Sequence, residues 1–268
     1  MSRSDDGSRL QVVVPEAPWS RTPRLVPFDR PWDWLAAGWR DLWAAPSVSL
    51  FYGAVATGLG LLLSVGLALA GLESLIPVAA GGFLLIGPLL AVGLYEASRC
   101  LAAGNAPDIG HTMSAAFGAA GRSSLLAAVL LVFYLVWIRV AVLLVALFLG
   151  TAGLPPAREL LPLLLLTPHG LALLVVGTAV GAVFAAAVFA ATAISLPMLM
   201  ERRIDAFTAM ALSARAVLIS PQAMALWAAL IAGFIVLGIA TLGVGLVLAF
   251  PLIGHATWHA YRDLMPPD

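Results

Sequence analysis

The feature that most constrains this chain is a set of long runs without a charged residue. Leu160–Met200 extends for 41 residues and Ala216–Tyr261 for 46 without Asp, Glu, Lys or Arg. One bilayer crossing takes about 20 apolar residues, so each of these runs exceeds a single helix. Shorter charge-free runs occupy Leu42–Leu72, Ser74–Tyr95, Ser123–Ile138 and Val140–Ala157. Backbone polar groups in hydrocarbon must bond within their own segment, which makes each run helical. Composition agrees: 62% of residues are hydrophobic and 10% charged, against about 25% charged in soluble domains. The excess apolar surface must face lipid. This excludes a soluble globular domain, a nucleic-acid binder and a disordered chain.

The breaks between runs predict an all-α polytopic membrane protein of about six transmembrane helices, near 47–71, 75–98, 123–150, 171–200, 222–240 and 243–262. Thr241, Leu242 and Gly243 must then turn tightly between the last two spans. Residues 1–31 are polar, contain five prolines and carry no secretory signal. They read as a disordered cytoplasmic tail, before a membrane domain over 32–264 and a short tail over 265–268. An even span count places both termini on one side. All basic residues are arginine; twelve fall on that side, Arg158 on the other, and Arg139 within the third span. The positive-inside tendency makes the arginine-rich side cytoplasmic.

The sequence also repeats itself. Pro88-Leu89-Leu90 with Tyr95 to Arg99 aligns without a gap on Pro251-Leu252-Ile253 with Trp258 to Arg262, and Arg40 to Pro46 has the spacing of Arg215 to Pro221. Two-span units, each preceded by a cytoplasmic interfacial helix, are the expected plan. A weaker middle copy starts at Asp108, and Asp33, Asp108 and Asp205 read as N-caps of the three surface helices. In the first of these, Trp32, Leu35, Trp39, Leu42 and Trp43 share one face, suited to the headgroup layer.

Catalytic equipment is sparse. The chain has no GxSxG, Walker loop or HExxH, and its four histidines are too few for a desaturase or haem-copper ligand set. An enzyme is therefore not expected, and the one cysteine, Cys100, excludes an internal disulfide and any cysteine-based metal cluster. Three features invite a functional reading. His255 and His259, one helical turn apart, could hold a metal ion about 2.0–2.1 Å from their ring nitrogens. Glu96, which takes the place of His259 in the first repeat copy, would be a third ligand. Otherwise Tyr95, Trp258, Arg99 and Arg262 are interface anchors, with Glu96 paired to Arg99. Arg139 lies roughly 24 Å along its span and either snorkels outward or faces the bundle interior as a binding residue. Gly177, Gly181 and Ala185 form a small-residue stripe for packing within the chain, or for a dimer or partner.

Trp39 to Leu42, Gly82 to Pro88, Gly93 to Arg99, Ser195 to Leu199 and Gly254 to Arg262 together resemble a bacterial integral-membrane family catalogued as domain of unknown function 2189. Some of its members carry a cytochrome c oxidase label. The resemblance covers about residues 32–264. It implies a multi-span protein of the bacterial inner membrane and brings no established site residues. Three functions follow as expectations: a non-catalytic accessory or assembly partner of a membrane complex, a transporter of a small solute or lipid, or a metal-binding protein using His255, His259 and Glu96. The expected partners are the lipid bilayer and a membrane protein or second copy, with no nucleic acid.

Overall fold

The computed structural model describes residues 22–76, 79–80, 87–150 and 155–265. Ten helices organise them: α1 (Arg30–Ala44), α2 (Pro46–Leu69), α3 (Val92–Ala102), α4 (Ile109–Leu149), α5 (Ala157–Leu166), α6 (Pro168–Thr192), α7 (Ser195–Glu201), α8 (Ala206–Ile219), α9 (Pro221–Ala240) and α10 (Leu246–Leu264). A 3-10 turn at Glu73–Leu75 follows α2, and no strand occurs among the described residues.

Helix starts follow local chemistry. Asp108 and Asp205 cap α4 and α8, accepting hydrogen bonds from the backbone N–H of His111 and Thr208, both at 2.9 Å. The third expected cap, Asp33, is not one. Pro31 sits in the first turn of α1 with the N-cap at Asp29, and Asp33 pairs with Arg30 at 3.0 Å. Pro46 and Pro221 open α2 and α9 from similar single-residue joints. Ala45 has φ −134° and ψ 62°, and Ser220 φ −121° and ψ 57°. The tight turn expected at Thr241–Gly243 is present, with Leu242 at φ 55° and Gly243 at φ 86°.

Four helical segments are long and apolar enough to cross a membrane: α2, α4, Pro168–Glu201 and α9. The expected span over 75–98 lies partly outside the described residues, and its described C-terminal part leads into α3. The expected last span is α10, which is not among the four. It is the centre of a compact head, packed against α1, α2, α3 and α9, with His255, Ala256, Trp258, Ala260, Tyr261 and Leu264 all buried. Two glycines permit this. A Cβ on Gly38 of α1 would stand 2.7 Å from the Ala256 nitrogen and 2.9 Å from the Leu252 carbonyl oxygen, and a Cβ on Gly53 of α2 would strike the Val247 carbonyl.

Outside the head the apolar helices are sparsely covered. Only 6% of the most apolar stretch of α4 is buried, against 33% for α2. The α4–α6 pair meets through Phe184, whose ring packs on Phe133 at 6.5 Å and Trp137 at 5.9 Å. The expected face of α1 divides: Leu35 and Leu42 are buried with Trp34, whereas Trp32, Trp39 and Trp43 form an exposed stripe. Residues 22–29, the described end of the expected tail, run non-helically along the head. There Arg24 N–H donates to the Leu264 carbonyl at 2.8 Å and Val26 N–H to Ser220 Oγ at 3.1 Å.

Candidate functional site

The polar side chains singled out in the sequence collect in the head, where α1, α2, α3, α7 and α10 converge with the start of α4. His255 is fully buried. Its Nδ1 lies 2.7 Å from Ser98 Oγ and its Nε2 2.9 Å from Ser49 Oγ. Ser98 in turn donates to Asp41 Oδ2 at 2.6 Å, and the same oxygen is 2.8 Å from His259 Nε2. With the Ser98 hydroxyl donated to Asp41, Nδ1 of His255 is the donor to Ser98 Oγ, while the Ser49 hydroxyl lies 2.9 Å from both Nε2 and the Ala45 carbonyl oxygen. Burial would raise the Asp41 carboxyl pKa, but the hydrogen bonds from His259 and Ser98 outweigh it and hold it below its ordinary value.

Glu96 sits in a second knot. Arg99 grips both its oxygens, Nη2 to Oε1 at 2.6 Å and Nε to Oε2 at 2.8 Å, which is the pairing expected at i, i+3. Oε1 also lies 2.9 Å from His111 Nε2 and 3.7 Å from Cys100 Sγ. A third knot ties α7 to α10. Tyr261 donates to Glu201 Oε2 at 2.6 Å, and Arg262 to Oε1 at 2.7 Å. At the rim, Arg30 and Trp34 hold Asp263 at 2.6 and 3.1 Å.

The structure thus separates the ligand set proposed from spacing. His255 gives both ring nitrogens to serines, His259 turns to Asp41, and Glu96 belongs to the other knot. The described His, Cys, Asp and Glu ligand atoms that gather in a three, within 4.8 Å of one another, are those of Glu96, Cys100 and His111. Nothing in the sequence joins Cys100 and His111 to Glu96, because one sits just past an expected span and the other beyond a loop, and a lone cysteine argues against a cysteine cluster. Asp41 and Ser98 stood inside recognisable motifs, but nothing in their spacing points at a histidine in the last helix. Tyr95 and Trp258 are buried, at 3% and 2% exposure, and so pack inside the head instead of anchoring in a headgroup layer.

Residues 75–201 match the family model described as "Predicted integral membrane protein (DUF2189)". That part of the chain, a little under half of it, is similar to this family. The match is narrower than the resemblance over 32–264. The DUF2189 stretch carries Glu96, Ser98, Cys100, His111 and Arg139, whereas Asp41, Ser49, His255 and His259 reach it from outside. No curated protein and no solved structure matches the chain. The protein is an integral membrane protein in contact with the lipid bilayer.

Two further expected features lie in the DUF2189 helices. In the α6 stripe, a Cβ on Gly181 would meet Trp137 at 3.2 Å, but one on Gly177 would meet nothing within 4 Å, and Ala185 is exposed. Packing within the chain therefore uses Gly181 alone of the three. Arg139 is exposed on α4, where Leu135, Val136, Val140 and Leu143 flank it. Two residues from Trp137, it points about 200° around the helix from the α6 contact. The interior-facing placement is not the one observed.

Proposed function

We propose that the protein is a non-catalytic inner-membrane protein that acts as an accessory or assembly partner of a larger membrane complex. The supporting observation is the contrast between a polar head whose side chains bond one another and a span pair, α4 and α6, left almost bare. A head closed in this way holds helices in place, and a bare pair of spans offers surface to another membrane protein. A transporter is less well supported, since Arg139 turns away from the helix packed against α4.

The arginine distribution favours cytoplasmic termini and six spans in a bacterial inner membrane. The similar joints at Ala45 and Ser220 favour two-span repeats. Co-purification from the native membrane in mild detergent tests the functional reading. A stoichiometric membrane protein retained with the chain is expected; the chain recovered alone would refute it.

A second reading, binding of a metal ion, is favoured by Glu96, Cys100 and His111. Thiolate, imidazole and carboxylate suit zinc or cobalt, and exposed His111 leaves room for a water ligand. Arg99 would have to release Oε1. Elemental analysis of tag-free protein beside a Cys100→Ser/His111→Ala variant tests it. Near-stoichiometric metal lost in the variant supports the site, and trace metal unchanged by substitution removes it.

A further inference from the structure

Among the described residues Arg139 has neither a hydrogen-bond nor an ion-pair partner. It lies about 24 Å from Ser123 and about 15 Å before Leu149 along α4, at about 1.5 Å per residue. Every other residue between those two is uncharged. Ionisable groups at such depth pair with one another or line a polar path.

The geometry weighs against a lipid phosphate. The nearer end of α4 is its C-terminal end, but side chains on a helix lean toward the N-terminus. Arg139 therefore leans toward the bilayer centre, whichever way the protein is oriented. Its six side-chain bonds of about 1.5 Å, in zigzag, reach less than about 9 Å, short of the 15 Å to Leu149. A second copy of this chain cannot serve either. Leu42–Leu72, Leu160–Met200 and Ala216–Tyr261 contain no carboxylate, nor does α4.

We infer that Arg139 receives a carboxylate carried inside the bilayer by a transmembrane helix of a different protein. Leu135, Val136, Val140 and Leu143 supply the apolar walls on either side. A guanidinium takes a carboxylate through two parallel N–H bonds, which fixes register as well as attraction. This inference rests on the partner-binding reading above and names the chemistry of the partner.

The test uses full-length protein in bicelles and a labelled leucine-rich transmembrane peptide with one Asp at matched depth, beside the same peptide with Leu there. Energy transfer should report association about tenfold tighter for the Asp peptide. The preference should vanish in Arg139→Leu, which inserts at least as readily, and return for a Lys peptide with Arg139→Asp. Equal binding of the two peptides would overturn the inference. So would phosphatidylglycerol retained by the wild type and lost in Arg139→Leu. If a native partner co-purifies equally with wild type and Arg139→Leu, only this inference fails. If none co-purifies with the wild type, the broader reading fails.

Discussion

His259 and Asp41 are 218 positions apart in the chain and 2.8 Å apart in space, Nε2 to Oδ2. This contact joins the last helix to the first, and Ser98 shares the same carboxylate oxygen. Asp41→Asn should cost about 1–3 kcal/mol, read as a lower thermal midpoint in detergent. An unchanged midpoint would show the contact to be idle.

The same carboxylate gives a pH dependence. Asp41 and Asp263 are both held below the ordinary value of 3.8, against burial, by their hydrogen bonds with His259 and Ser98 and with Arg30 and Trp34. A depressed folded-state pKa adds stability that is complete above the ordinary value and is lost as pH falls through the lower folded one. The thermal midpoint should therefore drop as pH is taken below about 4. That acid-dependent drop should shrink in Asp41→Asn/Asp263→Asn.

His255→Ala should be more damaging. It empties a buried site and removes one bond each from Ser49 and Ser98, which keep those to the Ala45 carbonyl and to Asp41, at a cost of about 2–5 kcal/mol. Ser49→Ala should cost about 1 kcal/mol, because it removes a hydroxyl bonded to His255 and to the Ala45 carbonyl but empties no large site. Comparable midpoints for the two variants would contradict the geometry.

Gly38→Ala should lower the midpoint by the equivalent of about 1–3 kcal/mol, because the new methyl meets α10 backbone. Gly118→Ala in α4, where a Cβ meets nothing within 4 Å, should instead be neutral or stabilising by up to about 1 kcal/mol. The opposite order would show that α1 and α10 do not cross so closely.

Reporter fusions test orientation. Those after residue 73, within 155–160 and after residue 241 should report the periplasm, and one after Asp268 the cytoplasm. A periplasmic C-terminus would overturn the even span count.

Much of this architecture was legible because burial in lipid leaves a plain record. Charge-free runs marked α2, α4, α6 and α9, the carboxylates of Asp108 and Asp205 marked helix starts, and i, i+3 spacing paired Glu96 with Arg99. Two things were not legible. Apolar periodicity does not distinguish a helix facing lipid from one facing protein, so the burial of α10 inside the head could not be read from it. The bonds of His255 to Ser49 and Ser98 depend on how three helices cross, and no spacing within one helix encodes that. Asp33 failed as a cap for a local reason, since Pro31 starts the helix three residues earlier at Arg30.

The proposed partner is another membrane protein that meets the bare face of α4. Photo-crosslinking residues placed one at a time from Leu131 to Leu147, in the native membrane, test it most directly. One discrete protein adduct is expected at Leu135, Val136 and Leu143, on the Arg139 face, and none at Phe133 or Trp137, which pack on α6. Lipid adducts alone at every exposed position would contradict it.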